Sequence, residues 1–195
     1  MRRWIDPPLA AVAHRLAGRV SADAMTLAGL GFGLTGAALV AGGLPGWALA
    51  GLALSRLCDG LDGALARATK ATDRGGYLDI VCDFIFYGVW PLAFALANPQ
   101  ANALPAAVLL FAFYINGASF LGFAIFAEKR GMVTAARGEK SLYFTAGLAE
   151  GTETIAVFVA MCVWPAGFAV LASGFAAVCV VTAGARLWLA WRVFG

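Results

Sequence analysis

Long apolar stretches alternate with short polar or glycine-rich breaks along this chain. Six of them run over residues 26–41, 47–57, 77–97, 103–127, 141–163 and 166–191, and the second continues into a polar segment that begins at Asp59. About 20 apolar residues in a helix cross the hydrocarbon layer of a bilayer. The pattern therefore predicts an all-α integral membrane protein with six transmembrane helices.

The residues before the first span follow a different pattern. Between Leu9 and Val20 the apolar positions recur every three or four residues, with His14, Arg15 and Arg19 between them. This spacing is typical of an amphipathic helix that lies on the membrane surface. We expect one domain over residues 1–195, with the interfacial helix at 1–22 and a six-helix bundle at 24–192.

Composition supports the membrane interpretation. The chain of 195 residues is 62% hydrophobic and 13% charged, with a mean hydropathy of +0.81. Ordinary globular domains carry roughly 25% charged residues. The net charge of +3 is modest and nothing suggests nucleic acid binding. The four cysteines are scattered without a C-x-x-C pair, so neither a zinc site nor a disulfide framework is indicated.

The basic residues predict the orientation. They precede the first span, fall between residues 67 and 74 and between 129 and 140, and recur at Arg192 near the end of the chain. The connections at 42–46, 98–102 and 164–165 carry no Lys or Arg. Because short basic loops stay on the cytoplasmic side, we expect both termini and both basic loops to be cytoplasmic.

Four aspartates gather at the cytoplasmic ends of the second and third spans. Asp59 and Asp62 are three residues apart, and Asp79 and Asp83 are four apart, so each pair projects from one helix face. Carboxylates without His or Cys suit Mg²⁺, Mn²⁺ or Ca²⁺, and two such ions would hold a diphosphate. Two alternatives stay open at this point: interfacial salt bridges to nearby basic residues such as Arg56, and the ion pathway of a cation transporter.

The spacing Asp59-x-x-Asp62-Gly63-x-x-Ala66-Arg67, seven residues, Gly75-x-x-x-Asp79-x-x-x-Asp83 resembles the signature of the CDP-alcohol phosphotransferases, with every fixed position filled. Members of that family transfer a phosphoryl-linked group from a CDP-activated donor to an alcohol and release CMP, using Mg²⁺ or Mn²⁺. The resemblance extends to the six-span layout and so covers most of the chain.

The resemblance also implies roles for individual residues. It implies that the four aspartates bind two metal ions and that Asp83 is in addition the base for the acceptor hydroxyl. The residues that would line the CMP part of the donor are Gly63, Ala66, Arg67 and Gly75, with Thr26 from the first span. Many relatives carry Pro-Asn-x-x-Thr at that point, and here Thr26 matches, Asp23 replaces the Asn and the Pro is absent.

The donor expected from the resemblance is CDP-diacylglycerol, whose acyl chains would lie among the spans. The product would be a phospholipid, made in a bacterial cytoplasmic membrane with the active site facing the cytoplasm. The alternative within the family is a CDP-choline or CDP-ethanolamine donor with diacylglycerol as acceptor. Family members are commonly homodimers, which implies a homodimer here.

The acceptor is predicted from polar residues outside the signature. Arg137 and Lys140 could bind an acceptor phosphate, or they could be topology and headgroup charges. Glu150 and Glu153, predicted to be buried in the fifth helix, are assigned to the acceptor pocket, with a structural pairing to Arg186 or Arg56 as the alternative. Glycerol 3-phosphate, inositol phosphate, phosphatidylglycerol and an amino-alcohol all remain open as acceptors.

Overall fold

The computed structural model describes residues 11–132 and 151–195. The regular structure in these two ranges is helical. The helices are α1 (Ala22–Ala41), α2 (Pro45–Ala68), α3 (Asp73–Ala97), α4 (Pro99–Lys129), α5 (Gly151–Val163) and α6 (Phe168–Phe194), with a 3-10 turn at Pro165–Gly167 before α6. Residues 11–16 are helical as well. The all-α prediction is therefore confirmed for the described residues.

Within the described residues, four stretches are long and apolar enough to cross a membrane, namely Ala22–Ala41, Asp73–Ala97, Pro99–Lys129 and Pro165–Phe194. They support an integral membrane protein. α5 is a shorter apolar helix of 13 residues. α2 is long enough at 24 residues, but its second half carries the aspartates and so is polar. The count of six spans and the orientation of the termini stay predictions.

The chain divides into two compact units, the first ending at Ala93 and the second beginning at Phe94. In the first unit, α1 begins at an N-cap, Ser21, whose Oγ accepts a hydrogen bond of 3.1 Å from the Ala24 N–H. It ends at Gly42, and Gly43 adopts a φ of +79° that favours glycine. Pro45 then starts α2, where its missing N–H costs no helical hydrogen bond.

Glycines let α1 and α2 approach closely. A Cβ added at Gly51 of α2 would lie 2.9 Å from the Gly36 Cα and 2.9 Å from the Phe32 carbonyl oxygen. On α1, the predicted stripe of small residues is buried at Gly29, Gly33 and Ala37. Small residues on one helix face permit this kind of close backbone packing in membrane proteins.

Large aromatic side chains of α3 fill the space beside the glycines of α1. Phe86 and Trp90 are 1% and 0% exposed. A Cβ at Gly33 would meet the Phe86 ring, and one at Gly36 would lie 3.0 Å from the Trp90 ring. The glycines of α1 therefore accommodate two buried rings of α3 as well as the backbone of α2.

The helical residues 11–16 pack against the polar end of α2. Ala13 is fully buried in a cluster with Ala64 and Leu65, and Leu16 is half-buried against the same cluster. His14 and Arg15 are exposed. This distribution agrees with the predicted apolar face, while a position on the membrane surface stays a prediction.

The second unit contains α4, α5 and α6. Phe113 of α4 makes edge contacts with Phe158 of α5 and Phe175 of α6, at ring distances of 6.4 and 6.0 Å. The Arg130 guanidinium at the end of α4 donates to the Val193 and Phe194 carbonyl oxygens at 2.9 and 2.6 Å. These last carbonyls have no helical partner, so Arg130 caps the C-terminus of α6.

Gly51→Ala should destabilise the protein by about 1–3 kcal/mol, because the new methyl group meets backbone atoms that cannot rotate away. Gly46→Ala in the same helix is the matched control, since a Cβ there has nothing within 4 Å. Thermal unfolding in detergent would compare the two variants with the wild type. Equal stability of the two variants would contradict the close α1–α2 packing.

Candidate active site

Three of the four signature aspartates converge. The carboxylates of Asp59 on α2 and of Asp79 and Asp83 on α3 offer one oxygen each within 4.8 Å of one another. All three side chains are half-buried. Helical spacing predicted that Asp79 and Asp83 share a face of α3, because they lie one turn apart. Their approach to Asp59 depends on how α2 and α3 pack. Three hard oxygen donors at this separation fit a divalent cation such as Mg²⁺ or Mn²⁺.

The fourth aspartate, Asp62, lies deeper. It is 7% exposed, and its Oδ2 accepts a hydrogen bond of 2.7 Å from the Thr26 Oγ1. Thr26 Oγ1 also lies 3.1 Å from the Ala22 carbonyl oxygen, but its single proton serves one acceptor at a time. The shorter contact to the carboxylate is the stronger one, because hydrogen bonds to ionised groups are both shorter and stronger. Asp62 therefore links α2 to the start of α1.

The three converging aspartates and the deeper Asp62 line one common pocket. Its walls come from α1, α2 and α3, and the aspartates form its polar part. The residues that line it are Thr26, Gly29, Leu30, Ser55, Arg56, Asp59, Asp62, Asp79, Cys82, Asp83 and Phe86. Ser55, at 0% exposed, and Phe86 form its buried wall. The pocket combines four carboxylates with an apolar lining.

Arg56 is a site residue that the sequence analysis did not assign to the active site. Its Nη1 lies 3.3 Å from the Asp59 Oδ1 and 3.5 Å from the Asp83 Oδ1. It precedes Asp59 by three residues, so the helical spacing could have indicated that both side chains share a face of α2. Its contact with Asp83 depends on how α2 and α3 pack, which the spacing does not show.

The residues expected to line the CMP part of the donor lie near the polar ends of α2 and α3. A Cβ added at Gly63 would lie 3.4 Å from the Arg67 Nη1, and Arg67 itself is exposed. Ala66 is half-buried. Gly75 faces Asp23 Oδ1 and Thr72 Oγ1, each 3.1 Å from where its Cβ would be.

Asp23, which stands where many relatives have Asn, pairs with Arg74 of α3 at 2.5 Å. Asp23 lies in the first turn of α1 and Arg74 in the first turn of α3, so the pair joins the two helix starts. Arg74 is 85% exposed, and isolated exposed ion pairs contribute about 0–1 kcal/mol. This contact joins the two helix starts and contributes little to stability.

Of the four predicted acceptor residues, the structure describes Glu153 alone. Arg137, Lys140 and Glu150 lie outside the described residues. Glu153 lies in the first described turn of α5 and is exposed, so the prediction that it is buried is wrong. The buried stripe of α5 begins at Thr154, and Glu153 precedes it by one residue, about 100° around the helix. Its place in an acceptor pocket stays a prediction.

Arg186 of α6 has polar contacts with α4. It is 7% exposed, and its Nη1 lies 3.0 Å from the Asn116 Oδ1 and 2.7 Å from the Ser119 Oγ. Both acceptors belong to the second unit, as Arg186 does. These contacts hold α4 and α6 together around a buried guanidinium.

The sequence matches the family described as CDP-alcohol phosphatidyltransferase over residues 19–193. That match covers nearly the whole chain. The chain belongs to the CDP-alcohol phosphatidyltransferase family. The resemblance drawn from the signature is thereby confirmed, and this CDP-alcohol phosphatidyltransferase is an enzyme of the transferase class. The transferase interpretation replaces the cation-transporter alternative.

A curated relative and a solved structure agree with this membership. The inner membrane protein YnjF of Escherichia coli (strain K12) is 46% identical over 172 residues, which cover 87% of this chain and 82% of that protein. The crystal structure of Mycobacterium tuberculosis phosphatidylinositol phosphate synthase (PgsA1) with CDP-DAG bound is similar with a TM-score of 0.67. The similarity covers 96% of this chain and 94% of that chain at 23% identity, and shows that the fold is shared.

Thr26→Val should destabilise this phosphatidyltransferase by about 1–3 kcal/mol, because the buried Asp62 carboxylate loses its hydroxyl donor. Thr26→Ser should be nearly as stable as the wild type, because serine keeps the hydroxyl donor. Thr35→Val is the matched control on the same helix, since the Thr35 hydroxyl donates only to its own helix at Gly31 and is exposed. Thermal unfolding of the three variants checks this, and equal effects of Thr26→Val and Thr35→Val would contradict it.

Proposed function

We propose that this protein transfers a phosphatidyl group from CDP-diacylglycerol to the hydroxyl group of an acceptor alcohol and releases CMP. The observation that carries the proposal is the convergence of Asp59, Asp79 and Asp83 within 4.8 Å in a membrane protein of this family. A lipid donor suits a site whose lining includes apolar residues such as Leu30 and Phe86. The related synthase has CDP-DAG bound, which supports the same donor here.

The metal site is proposed to contain Asp59, Asp79 and Asp83, with Asp62 as the fourth ligand. Four carboxylates offer enough oxygen donors for two Mg²⁺ or Mn²⁺ ions that share ligands. When bound, such ions neutralise the diphosphate of the donor and the charge that develops on the departing CMP. The hydrogen bond from Thr26 fixes one Asp62 oxygen, so the other oxygen is the one proposed for metal binding.

Asp83 is proposed as the general base. Its carboxylate lines the pocket, is 36% exposed, and so is accessible to an acceptor hydroxyl directly or through water. The acceptor oxygen forms a bond to the β-phosphorus of the donor while the bond from that phosphorus to the CMP oxygen breaks. The hydroxyl proton passes to the Asp83 carboxylate, and CMP departs with the bonding electron pair.

The CMP part of the donor is assigned to Thr26, Gly63, Ala66, Arg67 and Gly75. The absence of large side chains at Gly63 and Ala66 supports room for a nucleotide beside the carboxylates, whereas Asp23 and Thr72 occupy the space next to Gly75. The exposed Arg67 guanidinium at the end of α2 could reach a donor phosphate oxygen.

The acceptor pocket is proposed to include Arg137, Lys140, Glu150 and Glu153. Arg137 and Lys140 would bind a phosphate on the acceptor, whereas the two glutamates favour a neutral or cationic alcohol. We also propose a cytoplasmic active site, a single functional domain over residues 1–195 and a homodimer in the membrane. The basic segment at 67–74 supports the orientation, because it lies between the two aspartate pairs in the sequence.

Asp83→Asn should lower CMP release by about 10²–10⁴-fold, since the amide cannot accept the proton and is a poorer metal ligand. Asp73→Asn is the matched control on α3, because Asp73 is exposed and lies outside the pocket. CMP release from CDP-diacylglycerol would be measured in proteoliposomes with Mg²⁺ or Mn²⁺, and circular dichroism would check folding. A folded Asp83→Asn protein with more than about a tenth of wild-type activity would remove Asp83 from the role of base.

Lipid products formed in the same proteoliposomes should contain a phosphatidyl group joined to one acceptor. The panel contains glycerol 3-phosphate, inositol phosphate, phosphatidylglycerol and serine, each supplied with CDP-diacylglycerol and analysed by mass spectrometry. A parallel reaction supplies CDP-choline with diacylglycerol. Product in the parallel reaction alone would overturn the proposed donor, and chelation of divalent ions should abolish product in every active reaction.

A further inference from the structure

Arg56 bridges the two helices that carry the carboxylate cluster. Its Nη1 lies 3.3 Å from the Asp59 Oδ1 on α2 and 3.5 Å from the Asp83 Oδ1 on α3. Both acceptors belong to the three residues whose oxygens converge. One nitrogen of the guanidinium therefore contacts two carboxylates that are proposed to hold metal.

The contacts from Arg56 to these carboxylates are long. Charge-assisted N–H···O hydrogen bonds are typically about 2.7–2.9 Å, whereas these two measure 3.3 and 3.5 Å. The Nη1 atom carries two N–H groups and can donate one to each carboxylate, but at these distances both hydrogen bonds are weak. The Arg56 guanidinium therefore offsets the negative charge of the two carboxylates. It also leaves their oxygens available to a divalent cation, which bonds to oxygen more strongly.

A second set of contacts holds the guanidinium in place independently of the aspartates. Its Nη2 donates to the Ser55 Oγ at 3.2 Å, and its Cζ lies 3.9 Å from the centre of the Phe86 ring. Ser55 and Phe86 are both buried. A guanidinium over an aromatic face is stabilised by the ring quadrupole, so Arg56 has favourable contacts whether or not the aspartates face it.

The charge balance explains why a cation is needed at this position. Among the described residues, Asp59, Asp62, Asp79 and Asp83 line one pocket together with one guanidinium, that of Arg56. Like charges at separations near 4 Å repel strongly in a partly buried site. Without a cation, the repulsion between Asp59 and Asp83 would push α2 and α3 apart.

We infer that Arg56 is a built-in counter-cation that holds Asp59 and Asp83 together before metal binds and competes with divalent metal for the same oxygens. Arg56 is a positioning residue in this scheme, and the inference rests on the proposed metal site. Asp59 and Asp83 would hold a divalent ion in place of the guanidinium, and the contacts with Ser55 and Phe86 would then retain Arg56 beside the site.

The test measures Mn²⁺ binding to the purified, chelator-treated protein in nanodiscs, using the electron paramagnetic resonance signal of free Mn²⁺. Arg56→Gln should bind Mn²⁺ about tenfold more tightly than the wild type, because the competing charge is gone. Arg56→Met should do the same while keeping an apolar side chain against Phe86. Arg56→Lys should stay within about threefold of the wild type, since it retains the charge.

Arg74→Gln is the matched control, because it removes an arginine that pairs with Asp23 rather than with the cluster. It should leave Mn²⁺ affinity unchanged. In chelator, the melting temperatures of Arg56→Gln and Arg56→Met should lie below that of the wild type, and saturating Mn²⁺ should remove the difference. Variants that fold only with Mn²⁺ present would support the inference for the same reason.

Equal or weaker Mn²⁺ binding by Arg56→Gln and Arg56→Met would overturn the inference, and so would failure of both variants to fold even with Mn²⁺. Either result would make Arg56 a structural residue that metal does not replace. Wild-type protein that binds no Mn²⁺ would instead overturn the proposed metal site itself. Failure of the inference and failure of the proposed function are therefore distinguishable.

Discussion

Repulsion between carboxylates is the constraint on which the first unit of this protein depends. Asp59 comes from α2, whereas Asp79 and Asp83 come from α3, and their oxygens converge within 4.8 Å. Bringing these helices together requires both a compensating charge and close packing between the helices. Arg56 provides the charge, and the glycines of α1 provide the packing.

The glycines of α1 contact the helices on which the site is built. A Cβ at Gly29 would lie 3.0 Å from the Cys58 Cβ, one residue before Asp59. A Cβ at Gly33 would collide with the Phe86 ring, which in turn lies against the Arg56 guanidinium. A larger residue at either position would therefore displace a part of the carboxylate cluster as well as a helix. Packing along the stripe of small residues on α1 therefore affects the positions of the signature aspartates.

Within residues 11–132 and 151–195, apolar lengths and turn residues predicted the helices α1 to α6, because the same glycines and prolines that interrupt hydrophobicity also end helices. The sequence offered Ser21 or Asp23 as the cap of the first helix and placed its apolar span from Thr26, and in the structure Ser21 is the cap and α1 begins at Ala22. Spacing also predicted that each aspartate pair would share a helix face and that the four carboxylates could meet, and the oxygens of Asp59, Asp79 and Asp83 do converge. It could not distinguish Asp62, whose burial depends on a Thr26 hydroxyl 36 residues earlier in the chain. Spacing also could not predict the exposure of Glu153. This residue is adjacent in sequence to Thr154, which lies on the buried face of α5.

The unequal surroundings of the four aspartates bear on how the site is assembled. Asp62 is fixed by a hydrogen bond within 2.7 Å and is almost fully buried, whereas Asp59 is 41% exposed and shares one arginine nitrogen with Asp83. The Asp62 carboxylate is therefore held in one position, whereas the Asp59 and Asp83 carboxylates can rotate toward a ligand at a small cost in free energy. Arg56 lies one helical turn before Asp59 on the same helix, so it accompanies that carboxylate from the moment α2 forms. This pair within one helix lowers the free-energy cost of packing α2 against α3 in the membrane. The Asp83 carboxylate then approaches the Arg56 cation as well as the Asp59 carboxylate.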